Sequence, residues 1–202
     1  MGKLNNTKEA QLEQNLIDLL CARHGQWTFR PDLKTEEDLW NNLRNIIEIR
    51  NKSELNDNAL TDSEFERIQS EILAKTKAPF EAAKWLRGEK GKCSIVLERD
   101  NGLGRIELVI YSSNEKNGGF SSYEVVHQIA KSKSNLEERN RRFDVTLLIS
   151  GLPIIQIELK TAIAKDGVKQ AYYQIEKYID EGTFSNTIFQ TLQLYVMSNE
   201  QT

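Results

Sequence analysis

The stretch from Arg141 to Lys160, RRFDVTLLISGLPIIQIELK, limits the fold more than any other part of the chain, because it alternates. Phe143, Val145, Leu147 and Ile149 fall on one parity, and Asp144, Thr146 and Leu148 on the other. After Ser150-Gly151-Leu152-Pro153 the alternation resumes, with Ile155, Ile157 and Leu159 set against Ile154, Gln156, Glu158 and Lys160. Two period-two runs around a Gly/Pro turn read as a β-hairpin with one apolar and one polar face. Opposite residues of an antiparallel pair share a face, so the apolar sets coincide only if paired numbers sum to an even number. That predicts an odd loop, 150–152, with Ile149 opposite Pro153, Asp144 opposite Glu158, and Lys160 one step further along. A two- or four-residue loop sends Glu158 and Lys160 to the other side unless a bulge intervenes.

Two carboxylates and one amine on a small patch suit a hard divalent cation. Mg²⁺ takes oxygen ligands and is commonly held by one or two carboxylates together with substrate phosphate oxygens. The amine can orient a nucleophile and offset charge developing on phosphorus. The same residues also suit the wet face of any hairpin, where a cross-strand charge pair contributes only ~0.2–1 kcal/mol. On pattern alone, both readings stand.

Asp144, thirteen intervening residues, then Glu158-Leu159-Lys160 resembles the Asp…Glu-x-Lys signature of the PD-(D/E)xK nuclease superfamily. More closely, the string looks like the nuclease motif of the R (restriction and motor) subunit of type I restriction-modification enzymes. The likeness includes the Asn140-Arg141-Arg142-Phe143-Asp144 lead-in and the Ser-Gly-Leu-Pro turn. Gln174-Ile175-Glu176-Lys177-Tyr178 resembles the Gln-x-x-x-Tyr element that follows in that family, and the likeness extends through Leu60–Arg99 and Gln193–Asn199. Phe143 stands where the superfamily's name has proline, a departure the family tolerates.

The resemblance implies a set of roles. Asp144, Glu158 and Lys160 are catalytic; Asp144, Glu158 and the Leu159 backbone carbonyl hold Mg²⁺. Gln174 and Tyr178 support the substrate side, with Arg141 and Arg142 as DNA contacts. Superfamily members often bring a glutamate of the first helix near the metal, which makes Glu13 a candidate accessory ligand, although the residue by itself reads rather as a surface acid.

With 202 residues, 39% hydrophobic, 28% charged and three prolines, the chain is long enough for one domain with a full core. No apolar run reaches membrane-spanning length, and MGKLNNTKEAQ carries no signal-peptide core. Cys21 and Cys93 form no framework, so a reduced cytoplasmic setting and no membrane partner are expected. A net charge of −3 excludes a protein that coats nucleic acid non-specifically. Any DNA contact must be local, and KSKSNLEERNRR (131–142), with five basic and two acidic residues, is the candidate, though a solvated loop fits it too.

Along the chain, 8–25 reads as an amphipathic helix with Thr7 as N-cap, Gly25 as its stop, and Glu9 and Glu13 one turn apart. Trp27–Pro31 is a short extended piece. Thr35-x-x-Asp38 and Thr61-x-x-Glu64 are capping boxes opening helices to about Arg50 and Lys75, and Pro79 opens a fourth that Gly88 closes. Cys93–Arg99 and Arg105–Tyr111 flank a glycine-bearing loop, Ser122–Ala130 is a strand whose His127 reads as a structural histidine, Asp166 caps a helix to about Asp180, and Thr191–Met197 is a strand. No phosphate-cradling G-x-x-x-x-G-K-[ST] occurs.

The expected fold is α/β, mixed α+β in the wider sense. It has a PD-(D/E)xK restriction-endonuclease-like core, a mixed central sheet flanked by helices, and an extra helical layer from the N-terminal half. The chain reads as one nuclease domain, 1–92 mainly helical and 93–202 sheet and catalytic core. Resemblance makes it a piece of a longer subunit with a downstream ATP-dependent motor, so ATP concerns only that part. The implied function is Mg²⁺-dependent endonuclease cleavage of double-stranded DNA as a type I site-specific deoxyribonuclease. The implied partners are double-stranded DNA and the methylation and specificity subunits. The alternatives are another superfamily nuclease in repair or phage defence, and a non-catalytic docking module.

Overall fold

The computed structural model describes residues 2–22, 26–112, 121–130, 142–161 and 166–199. Most of the basic stretch, 131–141 with Arg141, the loop 114–119 and Gly25 lie outside them. The first helix, α1 (Gly2–Leu20), begins ahead of Thr7, so Thr7 is not its cap. A two-residue strand, β1 (Thr28–Phe29), leads to α2 (Glu36–Arg50), α3 (Asp62–Lys75) and α4 (Pro79–Arg87). Both capping boxes form as the sequence predicts. Thr35 and Thr61 accept from Asp38 N–H and Glu64 N–H, and the two acids return the bond.

Five strands make the main sheet, in the order β1, β4 (Tyr123–Ala130), β5 (Arg142–Ile149), β6 (Leu152–Lys160), β7 (Leu194–Asn199). The outer pairings, β1–β4 and β6–β7, are parallel and the inner ones antiparallel, so the sheet is mixed. β2 (Lys92–Glu98) and β3 (Arg105–Ser112) stand apart as a two-stranded antiparallel sheet. The burial alternation of β2 puts Cys93, Ile95 and Leu97 inside, in the same cluster as Phe65, Ile68 and Ile72 of α3. A buried Glu64–Arg99 pair at 2.7 Å joins the helical layer to the end of this hairpin. The last helix, α5 (Gly167–Asp180), precedes a 3-10 turn, Ile188–Thr191, and β7 begins at Leu194, later than the sequence predicts. Asp166 does precede α5, but in a left-handed conformation with no side-chain cap bond. Among the described residues no helix is long and apolar enough to cross a membrane.

Helices cover both faces of the main sheet. On one side Ile17 and its α1 neighbours Leu12 and Leu16 pack on Val125, Val145, Leu147, Ile157 and Leu159. On the other, α2, α5 and the 3-10 turn meet Val126, Leu148 and Leu152. At about 1.5–3 kcal/mol for each fully buried aliphatic side chain, these two clusters fix the hairpin between layers.

The hairpin turn differs from the sequence expectation. Ile149 pairs with Leu152, not Pro153, and Ser150 (φ 53°) and Gly151 (φ 80°) form a two-residue turn. Parity is rescued by a bulge: Leu148 pairs with Pro153 and Leu147 with Ile155, leaving Ile154 as the extra residue. From there on the pairs sum to 302, the value expected for Asp144 opposite Glu158. The tight turn is dictated from above, since α2 lies on it. A Cβ on Gly151 would come within 3.0 Å of Ile46 Cδ1, and Arg50 donates to Ser150 Oγ at 2.9 Å.

Candidate active site

The polar face of the hairpin is not wet. Thr146, Gln156 and Glu158 are all 0% exposed, so the alternative of a solvated charged face is overturned. Buried polar groups require partners, and here they form a continuous chain. Thr146 Oγ1 donates to Gln156 Oε1 at 2.7 Å, and Gln156 Nε2 donates to Glu158 Oε1 at 3.1 Å. Across the layer, Gln174 of α5 donates from Nε2 to Glu158 Oε2 at 2.7 Å and to the Tyr178 hydroxyl at 2.6 Å. Tyr178 is itself buried, edge-on to Phe143 and Phe184. Both oxygens of Glu158 are therefore fixed by amides, one from its own strand and one from the helix behind.

Asp144 is held differently. Its Oδ2 accepts the Leu159 backbone N–H at 2.8 Å, which ties the two halves of the hairpin at the level of Glu158. Burial raises the Asp144 carboxyl, while the Leu159 N–H and the Lys160 ammonium oppose that rise. Glu158 is raised as well, first by burial and then by the negative charge of Asp144. Two such carboxyls do not both ionise readily without a cation, so the pair favours sharing a proton.

Lys160 closes β6 opposite Asn199, half-buried, beside a small hollow of about 210 Å³ shared with Leu12, Leu16 and Ser198. Its charge acts on Asp144, Glu158 and Glu13 alike. Glu13 is 6% exposed, and burial pushes its carboxyl up to about 7, with Asp144 and Glu9 adding to the rise. Glu13 is thus no free surface acid: Gln128 donates to its Oε1 at 2.7 Å, and His127 Nδ1 lies 3.7 Å from its Oε2. His127 packs edge-on to Phe29, as a structural histidine would, and burial lowers its pKa. Arg142 is exposed at the start of β5.

Asp144, Glu158, Lys160, Gln174 and Tyr178 are therefore brought into one neighbourhood, with Glu13 close enough to feel two of them. Among the described residues no three His, Cys, Asp or Glu side chains converge into a metal-holding group, so the pair, and not a cluster with Glu13, is the acidic unit. That donor set fits Mg²⁺, which needs few protein carboxylates because water and phosphate complete its shell. Gln156 and Gln128 carry no expected role in the sequence reading. Gln156 was legible in principle, two residues before Glu158 on the same strand face. Gln128 was not, because nothing local links it to a helix 115 residues away.

The chain matches the family model described as the N terminus of the type I restriction enzyme R protein, over residues 6–202. It is 29% identical over 167 residues to a type I restriction enzyme endonuclease subunit of Staphylococcus saprophyticus, and 28% identical over 170 residues to one of Staphylococcus aureus. These alignments cover 83% and 84% of this chain but 16% of each relative, so the chain spans about a sixth of the length of those proteins. It is also similar to the EcoprrI endonuclease subunit of Escherichia coli, 39% identical over 99 residues, 48% of this chain and 29% of that one.

Proposed function

Because the chain belongs to the family of type I restriction enzyme R protein N-terminal domains, we propose that it carries the phosphodiester-cutting site of such an enzyme. Its substrate is double-stranded DNA, and its cofactor is Mg²⁺ held by the Asp144 and Glu158 carboxylates, the Leu159 carbonyl adding a backbone oxygen. The observation that carries this reading is the buried acid pair, which is costly to maintain for folding alone. Each acid is raised by burial, and Glu158 is gripped on both oxygens. Asp144 and Glu158 would hold a divalent cation in place of the shared proton, and its charge would offset that cost. When bound, it supplies Lewis-acid stabilisation of the charge building on the scissile phosphate.

The chain's own residues do the rest. Gln156 and Gln174 keep Glu158 from rotating away, and Leu159 N–H fixes Asp144 at the same level. The Lys160 ammonium, at the open end of β6, orients the nucleophile and offsets negative charge on phosphorus. Glu13, within electrostatic reach of Asp144 and Lys160, is an accessory acid outside the metal-holding pair, and Tyr178 buttresses Gln174. Arg142, and Arg141 outside the described residues, bring the DNA backbone to this edge. In the whole enzyme the cut follows ATP-driven translocation by motor domains, at sites chosen with methylation and specificity subunits. The test is nicking of supercoiled plasmid by the full complex carrying Lys160→Ala. Loss of cutting with ATP hydrolysis retained is expected; unchanged cutting removes Lys160 from the chemistry.

A further inference from the structure

The β4–β5 register runs without insertion from Tyr123↔Ile149 to Ala130↔Arg142, yet one position is skipped: Gln128, opposite Asp144. Gln128 has φ 53°, a left-handed conformation that a strand residue other than glycine seldom takes. Its effect is visible in the packing. Before it, Val125 and Val145 lie on the α1 side of the sheet, with Ile17. Beyond it, the paired Ile129 and Phe143, which share their parity, lie on the other side, and Phe143 stacks there with Phe184. Both strands turn over at the level of Asp144. The sequence reading that put Phe143 on the face of Val145 is corrected by this crossover.

The turn-over has a second consequence. A regular strand would give Gln128 the side of Val126, which packs in the cluster away from α1. Instead its amide reaches α1 and donates to Glu13 Oε1 at 2.7 Å. Glu13 is thereby fixed within the electrostatic reach of Asp144 and Lys160.

We infer that Gln128 is a positioning residue of the nuclease site: its left-handed backbone turns β4 and β5 over at Asp144, and its amide ties Glu13 of α1 to the strand position opposite Asp144. This rests on the metal-dependent reading above. Strain retained at a functional position is expected where the strained residue does something a relaxed one could not.

Glycine separates the backbone role from the side-chain role, because Gln128→Gly keeps the left-handed turn without strain and deletes the amide. Mn²⁺ binding to the 202-residue chain, followed by electron paramagnetic resonance, is compared for wild type, Asp144→Ala, Glu13→Gln, Gln128→Gly and the Glu13→Gln/Gln128→Gly double variant. Gln128→Asn, which also tolerates left-handed backbone but falls one methylene short, serves if the glycine variant does not fold. Expected for Gln128→Gly are a chain that still folds and a Mn²⁺ affinity about 10–100-fold weaker, the usual effect of removing a partner that orients a metal site. The double variant should be no weaker than Glu13→Gln alone. Wild-type affinity in Gln128→Gly, with Asp144→Ala still abolishing binding, overturns the role of Gln128 and leaves the metal site standing. Absence of Mn²⁺ binding in the wild-type chain overturns both.

Discussion

Glu13 and Glu158 are carboxyl groups whose pKa burial raises, and that sets the sign of their contribution to stability. The Glu13 carboxyl moves from 4.5 to about 7. Between those values the folded chain binds more protons than the unfolded one, so its contribution is full below about 4.5 and is lost as pH rises through about 7. His127, whose pKa is lowered, acts in the opposite direction through its ordinary value of 6.5, so the raw melting curve mixes the two. The difference between Glu13→Gln and wild type isolates the acid. In metal-free buffer the variant should gain on wild type from pH 5 to pH 8, by up to about 3 kcal/mol, as measured by urea denaturation. A difference flat with pH would contradict the burial of Glu13 as an acid. Gln156 gives a second prediction at this scale. Gln156→Met leaves Thr146 Oγ1 and Glu158 Oε1 without their partners, and should cost about 1–3 kcal/mol in the same assay.

Among the elements, the hairpin was the most legible part of the sequence and also the part it misdescribed. The parity of Val145, Leu147, Ile157 and Leu159 demanded an even register sum, and the register from Val145↔Ile157 to Leu147↔Ile155 has that sum. An odd loop, and an even loop with a bulge, satisfy the same pattern. The structure uses the second because α2 presses on the turn, a contact between distant parts of the chain that no local pattern records. Gly151→Ala should therefore destabilise the fold by about 1–3 kcal/mol while leaving metal affinity intact, since the turn is at the far end from Asp144. Deleting Ile154 tests the bulge itself. It removes the extra residue but leaves Leu147 opposite Ile155 and Asp144 level with Glu158, so metal binding should persist in the fraction that folds, as read by circular dichroism and metal titration together. The capping boxes of α2 and α3 were legible because their signal is three residues long. The crossover at Gln128 was not, because a left-handed glutamine in a strand has no sequence signature.

For the molecule as a whole, the site sits where the two packing layers part. The α1 side supplies Glu13, the α5 side supplies Gln174 and Tyr178, and the sheet between them supplies Asp144, Glu158 and Lys160. The grouping of Asp144, Glu158, Lys160, Gln174 and Tyr178 could be anticipated from family resemblance. That the polar face is sealed beneath α5 could not, because the same Asp, Gln, Glu and Lys composition also describes a wet surface. The sealing separates a buried acid pair from an ordinary charged face, and the proposed reading of that pair as a metal cradle is tested most directly by a calorimetric titration of this chain with Mg²⁺ near pH 8, repeated in two buffers of different ionisation enthalpy. Binding should release about one proton, the one the acid pair shares, and should disappear in Asp144→Ala. Binding without proton release, no binding at all, or binding that survives Asp144→Ala would contradict the account.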